Sequence, residues 1–308
     1  MGTVQANGIE IAYELHGDSG GLPLVLVGEL GQQLVGWHPD LIRAMVRRGF
    51  QVLVYDNRDV GFSTHFDQLG QPDLVAVMSG NADAAPYTLD DMAADAVGLM
   101  DALGWRSAHI FGISMGGMIA QIVALSFPDR VRSLTSVSAT TGSHGVGHAA
   151  RDATAVVLRP MVASREAYAD GAERAHNIIG SAEFSPDREW IRRQAGLAWE
   201  RRYDPHGTAR HLTAILAAGD LTPDLARLEI PALIVHGAND PLIPVASGRL
   251  TAAAIPSAEL LEIDGMGHDI PRQVWDRLLD KLDDVAHRGE VAAAARRASA
   301  SISSFGHS

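Results

Sequence analysis

Hydrophobic and polar positions along the chain follow two periods in turn, which predicts alternating strands and helices. Residues 9–17 (IEIAYELHG) come after an Asn-Gly turn and alternate apolar with polar positions, as a strand does. Residues 22–28 (LPLVLVG) and 50–56 (FQVLVYD) are continuously apolar, which is typical of strands buried on both faces of a parallel sheet. The segment between them, PDLIRAMVRRG, has helical spacing and ends at Gly49.

The same alternation continues along the chain, with one interruption. Between about residues 141 and 224 the strand pattern is absent, and helical spacing replaces it. The elements predicted on either side of that interruption are, in chain order, a helix over 89–105, a strand over 107–113, a helix ended by Pro128, a strand over 131–140, strands within 230–244 and 258–269, and a helix over 272–288.

Alternating strands and helices predict an α/β fold with a mostly parallel central sheet flanked by helices. We assign residues 1–140 and 225–288 to this core. The helical segment 141–224 is then an insertion that forms a cap, or lid, over the sheet; it precedes the strand that carries the candidate acid described below. The Ala/Ser-rich C-terminal tail, residues 289–308, is expected to be weakly structured.

Composition limits the class of protein. Of the 308 residues, 46% are hydrophobic and 20% are charged, as in ordinary globular domains. The absence of cysteine excludes disulfides and thiolate metal sites and favours a cytoplasmic protein. The sequence has no secretory signal pattern, and no apolar run approaches the ~20 residues that span a bilayer, so we expect no membrane association.

The balance of charge bears on the partners. Lys and Arg number 25 against 37 Asp and Glu, a formal net charge of −12, which repels nucleic acid unless a local basic patch is present. The densest basic pairs, Arg192-Arg193 and Arg201-Arg202, fit solvated helix faces better than such a patch. The expected partner is therefore a small molecule and not nucleic acid, and a homo-oligomer is compatible with the sequence.

The segment GISMG, residues 112–116, indicates a nucleophile. It lies after a predicted strand and before a predicted helix, and its pattern is G-x-S-x-G. A sharp turn of this kind presents Ser114 at the sheet edge on a strained backbone, so the residues two before and two after, Gly112 and Gly116, must be very small. The alternative is a tight strand–helix corner without chemistry. The flanking strand and helix favour the nucleophile.

A serine nucleophile needs a base and a carboxylate that orients the base, here in the chain order Ser, acid, His. His268 lies in the loop after the last predicted strand, where neighbouring glycines allow an exposed imidazole. Asp240 lies just beyond the preceding strand, and residues 133–150, the other location for such an acid, contain no Asp or Glu. His236 ends the strand before Asp240 and is compatible with a buried structural role.

The oxyanion of a tetrahedral intermediate needs two backbone N–H donors. One follows the nucleophile, at Met115, and the other is expected in the loop after strand 22–28, VGELGQQ. This chemistry requires neither a cofactor nor a metal, and we expect neither.

The chain resembles the α/β-hydrolase superfamily, and within it the bacterial esterases typified by aclacinomycin methylesterase. The resemblance spans most of residues 8–285. It implies that Ser114 is the nucleophile, Asp240 the acid and His268 the base, and it places the second oxyanion donor at the N–H of Leu30. The segments that carry it are LVLVGELGQQLVGW (24–37), VYDNRDVGFST (54–64), GISMGGMIAQ (112–121), GANDPLIP (237–244) and GMGHDIP (265–271).

The chain departs from that family at one point. Relatives usually have His-Gly or Met-Gly where this chain has Gly28-Glu29. A carboxylate that pointed into the oxyanion site would oppose the developing negative charge. We expect Glu29 to turn away and to form hydrogen bonds within its loop; the alternative is direct contact with the substrate.

The cap is expected to set specificity. Its apolar residues Met161, Trp190 and Trp199 are candidates to line the substrate cavity, with Met118 on the opposite wall. The cap contains no cluster of Arg or Lys that would indicate a charged substrate. We therefore expect a serine esterase or lactonase acting on a bulky apolar ester. The resemblance suggests a polyketide-type ester or a macrolactone such as zearalenone.

Two other functions stay open at this stage. The same three residues can carry out C–C bond hydrolysis or cofactor-free perhydrolysis. Some proteins of this fold are small-molecule receptors that turn substrate over slowly or not at all, although an intact set of three residues disfavours an inert binder.

Overall fold

The computed structural model describes residues 1–143, 145–158 and 161–305, with side chains described as far as residue 296. Within that part of the chain, eight strands form one sheet in the order β1-β2-β4-β3-β5-β6-β7-β8. The strands from β3 onward are parallel to one another, whereas β1 and β2 pair in antiparallel fashion. The predicted, mostly parallel sheet is confirmed. The strands are β1 Gly2–Ala6, β2 Ile9–His16, β3 Leu22–Val27, β4 Phe50–Tyr55, β5 Ala108–Ile113, β6 Val131–Val137, β7 Ala232–Gly237 and β8 Ala258–Ile263.

The edge strand β1 is absent from the sequence prediction. It pairs with β2 through a two-residue hairpin at Asn7 and Gly8, whose φ angles are 49° and 79°. Positive φ at both central residues is what an Asn-Gly hairpin turn supplies. The turn is evident in the sequence, but the short and partly exposed β1 is not.

Helices cover both faces of the sheet. Strand β3 shows why its sequence is continuously apolar, because Val25 and Val27 join one hydrophobic cluster while Leu24 and Leu26 join the other. The helices are α1 Pro39–Arg47, α2 Leu74–Met78, α3 Leu89–Ala102, α4 Met115–Ser126, α5 Arg151–Val157, α6 Arg165–Ile179, α7 Arg188–Arg202, α8 Pro205–Ala217, α9 Thr222–Leu225, α10 Val245–Ala254 and α11 Trp275–Phe305.

The C-terminal segment forms helix where a weakly structured tail was expected. Helix α11 passes through Gly289 and continues to Phe305. At Gly289 it lies so close to β6 that a Cβ there would meet the carbonyl oxygen of Arg132 at 2.6 Å. The next residue, Glu290, pairs with the Arg132 side chain at 2.8 Å. This contact and the high helix propensity of the alanines beyond it account for the difference.

Helices α5 to α9, here termed the inserted helices, separate β6 from β7. Two buried ion pairs connect them to the loop that follows β4. Arg201 of α7 pairs with Asp56, and Arg210 of α8 pairs with Asp59 at 2.7 and 2.8 Å. The sequence suggested a solvated helix face for Arg201. The structure instead places its side chain in this ion pair. Asp56 accepts two further hydrogen bonds, from the backbone N–H groups of Leu34 and Phe62.

Among the described residues, no helix combines the length and apolar character needed to cross a membrane.

Candidate active site

Ser114 lies at the corner between β5 and α4, at the carboxyl edge of the sheet. Its φ and ψ are 55° and −121°, a conformation that residues other than glycine rarely adopt. The flanking glycines have no room for a side chain, since a Cβ on Gly112 would lie 2.0 Å from the carbonyl oxygen of Gly116 and one on Gly116 would lie 2.1 Å from that of Val27. The predicted serine turn is present.

The structure brings Ser114, His268 and Asp240 together in one chain of hydrogen bonds. The Oγ–H of Ser114 donates to Nε2 of His268 at 3.0 Å, and Nδ1–H of His268 donates to Oδ2 of Asp240 at 2.7 Å. The other oxygen of Asp240 accepts the backbone N–H groups of Leu242 and Ile243, each at 2.9 Å. Asp240 thus faces His268 with one oxygen while the loop fixes the second.

The surroundings of His268 favour its protonated form. Burial alone would lower the pKa of His268, but the hydrogen bond and charge of Asp240, with the charges of Glu29 and Asp269, raise the pKa above its usual value. The backbone of His268 is held in turn by α6, because its N–H donates to the carbonyl of Ile179 at 2.7 Å.

A second histidine lies behind Asp240. His236 is fully buried, and its Nε2–H donates to the carbonyl of Ile243 at 2.8 Å. Burial lowers the pKa of His236, so it is neutral near pH 7. Its place at the end of β7 agrees with a structural role.

The backbone of the loop after β3 is strongly constrained. Residues 29–32 form a turn in which the N–H of Gln32 donates to the carbonyl of Glu29 at 3.0 Å. Gly31 has a φ of 69°, as the third position of a type II turn requires. A Cβ on Gly31 would meet Oγ1 of Thr208, on α8, at 2.8 Å. Helix α8 therefore packs directly against the turn that contains Leu30.

His211, also on α8, holds the same turn from within the protein. Its Nδ1 accepts the N–H of Gly31 at 3.3 Å, and its Nε2–H donates to the carbonyl of Arg58 at 2.7 Å. This arrangement needs the neutral imidazole, and burial lowers the pKa of His211 to about 4. The sequence analysis did not single out His211, because nothing local marks one of the 13 histidines as the partner of a loop 180 residues away.

The residues of the two predicted oxyanion donors line the same cavity as the serine. Met115 is the first residue of α4, so its N–H has no carbonyl within the helix to bind. Leu30 and Met115 both line the cavity that contains Ser114. That cavity, here termed the serine chamber, has a volume of about 520 Å³. Its apolar walls include Met118, Val156, Val157, Ile179, Leu212, Ile215, Leu242 and Ile243.

A second cavity of about 570 Å³, here termed the aromatic chamber, adjoins the first. Glu29 and His268 line both chambers. The aromatic side chains around the second are Trp37, His38, Phe184, Trp190 and Trp275. Met118 lines the serine chamber and Trp190 lines the aromatic chamber, so the two do not face each other across one cavity.

Met161 and Trp199, in contrast, line neither chamber. Met161 is largely exposed, in the connection between α5 and α6. Trp199 stacks on Tyr203, with ring centroids 4.7 Å apart, and packs on Tyr168 within the inserted helices.

The structure places Glu29 beside the candidate site. It lines both chambers, and its charge raises the pKa of His268. Within the loop, the side-chain oxygen of Gln32 accepts the backbone N–H of Glu29 at 3.2 Å.

One described cluster has the geometry for a metal ion, namely Asp59, His65 and Asp204. The guanidinium of Arg210 already lies 2.7 Å from Asp59 and 3.6 Å from Asp204, and His65 binds Asp204 at 2.7 Å. Tyr87 also donates to Asp59 at 2.7 Å. The positive charge that these carboxylates need comes from the protein, so the cluster is suited to fastening α8 and not to binding a metal.

Comparison with known proteins shows the family of the chain. The profile of the alpha/beta hydrolase fold family matches residues 23–271. Rhodomycin D methylesterase of Streptomyces peucetius is 26% identical over 282 residues, covering 85% of this chain and 90% of the relative. The 3-oxoadipate enol-lactonase 2 of Acinetobacter baylyi is 26% identical over 286 residues, covering 91% and 95%. Among solved structures, the enol-lactonase from Burkholderia xenovorans gives a TM-score of 0.72 at 24% identity, covering 92% of this chain and 99% of the other.

Proposed function

The chain belongs to the alpha/beta hydrolase family, and from that premise we propose that it is a serine hydrolase that cleaves a bulky, apolar carboxylic ester or lactone. The observation that carries this proposal is the hydrogen-bonded chain from Ser114 through His268 to Asp240, which opens into a chamber with apolar walls. The similarity to a methylesterase and an enol-lactonase supports the same class of reaction.

The reaction follows from the positions of these groups. Ser114 Oγ attacks the ester carbonyl while His268 Nε2 accepts its proton, and Asp240 stabilises the imidazolium that forms. The N–H groups of Leu30 and Met115 bind the oxyanion. His268 then passes the proton to the leaving alkoxide, which departs as an alcohol and leaves an acyl group on Ser114. Water, deprotonated by His268, releases the acid and restores the serine.

The serine chamber fits a substrate with an apolar acyl part. Its volume of about 520 Å³ lies within the usual ~300–1,000 Å³ of ligand pockets. A polyketide-type ester or a macrolactone such as zearalenone has the size and apolar character for such a chamber.

A direct test uses a fluorophosphonate probe and a panel of esters and lactones. We expect the probe to label Ser114 and the panel to show multiple turnovers. Ser114→Ala is expected to abolish labelling and to lower kcat by about 10³-fold or more, because the covalent step is lost. The folded state, followed by circular dichroism, should be retained, since alanine fits wherever serine fits. A stoichiometric burst without further turnover would instead indicate a small-molecule receptor, and full activity in Ser114→Ala would contradict the mechanism.

A further inference from the structure

The two chambers meet at His268 but differ in their access to the other reacting groups. Ser114, Leu30 and Met115 line the serine chamber. None of these three is among the described residues that line the aromatic chamber. The residues that line both chambers are Glu29, Gln32, His176, Ile191, His268 and Asp269. A molecule that spans both chambers therefore passes among these shared residues, one of which is the proposed base His268.

The order of bonds in the tetrahedral intermediate assigns a chamber to each half of the substrate. The acyl carbon is bonded to Ser114 Oγ, and its oxyanion faces the N–H groups of Leu30 and Met115, so the acyl part belongs in the serine chamber. The leaving oxygen must lie within about 2.6–3.2 Å of His268 Nε2 to receive its proton. The rest of the alcohol then lies beyond His268, which is one of the residues that also line the aromatic chamber.

The walls of the aromatic chamber differ chemically from those of the serine chamber. The ring of His38 lies between those of Trp190 and Trp275, at centroid distances of 4.6 and 5.0 Å. The guanidinium of Arg272 lies 4.8 Å from the ring of Trp275 on the same wall. Grouped rings present faces and edges that attract a further planar ring in tilted or offset contact.

We propose that the aromatic chamber is the leaving-group site and that it selects esters whose alcohol part carries a planar aromatic ring. This assignment rests on the proposed function and adds to it the class of alcohol that leaves. The bond between the acyl carbon and the alkoxy oxygen breaks, and the oxygen takes the proton from His268 Nε2. The ring-bearing alcohol is then held among Trp190, His38 and Trp275. Methanol, the product of a methylesterase, would leave a chamber of about 570 Å³ unused.

The test compares three butanoate esters, those of ethanol, 2-cyclohexylethanol and 2-(2-naphthyl)ethanol. The acyl group is constant and the three alkoxides have similar basicity, so differences in kcat/KM report binding of the alcohol part. We expect the naphthyl ester to exceed the ethyl ester by about tenfold or more. It should exceed the cyclohexyl ester by about two- to tenfold, the range of specific aromatic contacts.

Trp190→Ala locates the effect. The variant is expected to lose most of the preference for the naphthyl ester over the ethyl ester. Trp105→Ala is the matched control, because Trp105 is another half-buried tryptophan that lines neither chamber. Inhibition of ethyl ester hydrolysis by free 2-(2-naphthyl)ethanol, compared with 2-cyclohexylethanol, tests the site in the wild-type protein should Trp190→Ala fail to fold.

Equal kcat/KM for the ethyl and naphthyl esters would overturn the leaving-group assignment, as would a Trp190→Ala variant that loses activity equally on all three. Equal inhibition by the two free alcohols would do the same. If fluorophosphonate labels Ser114 and all three esters are hydrolysed without ring preference, the leaving-group assignment alone is wrong. If neither labelling nor hydrolysis of any ester occurs, the proposed function fails as well.

Discussion

The backbone of Ser114 is strained, and hydrogen bonds from the surrounding fold hold it in that conformation. A non-glycine residue at φ 55° and ψ −121° is strained by about 1–3 kcal/mol. Its backbone is fixed nonetheless, because its N–H donates to the carbonyl of Val137 on β6 at 2.9 Å, and its own carbonyl accepts the N–H groups of Gly117 and Met118. The turn is thus determined by its neighbours, and the hydroxyl points toward His268.

Glu29 acts at the same scale, through charge. The proposed base must be neutral, so kcat/KM should rise with pH through the pKa of His268, which lies above its usual value of ~6.5. Because the carboxylate of Glu29 favours protonated His268, Glu29→Gln is expected to move this rise to lower pH. On the high-pH plateau, where His268 is already neutral, kcat should change little.

The measurement is the pH profile of kcat/KM, with Asp18→Asn as a control, since Asp18 is an exposed carboxylate that lines neither chamber. An unchanged profile in Glu29→Gln would show that Glu29 has no electrostatic effect on the base. A fall of about 10²-fold on the plateau would instead indicate that Glu29 takes part in proton transfer or contacts the substrate.

At the scale of elements, the turn at residues 29–32 depends on a helix far from it in sequence. Flipping the central peptide of a type II turn would move the N–H of Gly31 away from Nδ1 of His211. His211 therefore favours one of two geometries of the turn that contains Leu30, whose N–H is a proposed oxyanion donor. This makes His211 a positioning residue for the proposed oxyanion site.

His211→Leu is expected to lower kcat by about tenfold or more with little change in KM, since a misplaced donor weakens binding of the transition state and not of the ester. His211→Gln, whose amide can both accept and donate, should restore part of kcat. The control is His109→Leu, because His109 is also buried and binds Ser133 Oγ at 2.8 Å away from the site. That variant should lose stability and keep kcat. Equal loss of kcat in the two leucine variants would point to general destabilisation.

What the sequence could predict at this scale follows from the range of the interactions. Ser114, Asp240 and His268 each lie in a loop at the end of a strand, and parallel strands bring their carboxyl ends to one edge, so local patterns predict their meeting. The orientation of α7 has no such local signal. Trp190 and Trp199 are nine residues, or about two and a half turns, apart, so they lie on opposite sides of the helix. Only one of them can face a given cavity, and packing, which has no local signal in the sequence, decides that Trp190 lines a chamber and Trp199 does not.

At the scale of the whole molecule, the inserted helices and the core are joined by charges buried between them. Arg210 and Asp59 are both almost completely inaccessible, with exposed side-chain fractions of 1% and 0%. Phe66 N–H and Tyr87 also donate to Asp59, so its carboxylate is satisfied from both parts of the molecule. Burial would raise the pKa of Asp59, but the hydrogen bonds from Arg210, Phe66 and Tyr87 together hold it below its usual value.

Arg210→Met is therefore expected to lower the free energy of unfolding by about 3–5 kcal/mol at pH 7, because it leaves a buried carboxylate without its cation. The sign of the pH dependence follows. The depressed pKa of Asp59 stabilises the wild type above the unfolded value near 4, and this contribution is lost as pH falls through the folded pKa. In the variant, the effect of burial on the pKa of Asp59 is less opposed, so Asp59 takes up a proton at higher pH than in the wild type. The difference in free energy of unfolding between the two proteins should therefore shrink as the solution is acidified. Urea unfolding at pH 7 and pH 5 measures this difference.

Arg192→Met on α7 is the matched control, since Arg192 pairs with Asp170 at the surface and its loss should have almost no effect. A loss in Arg210→Met no larger than in Arg192→Met, or one independent of pH, would show that this ion pair does not hold the inserted helices to the core.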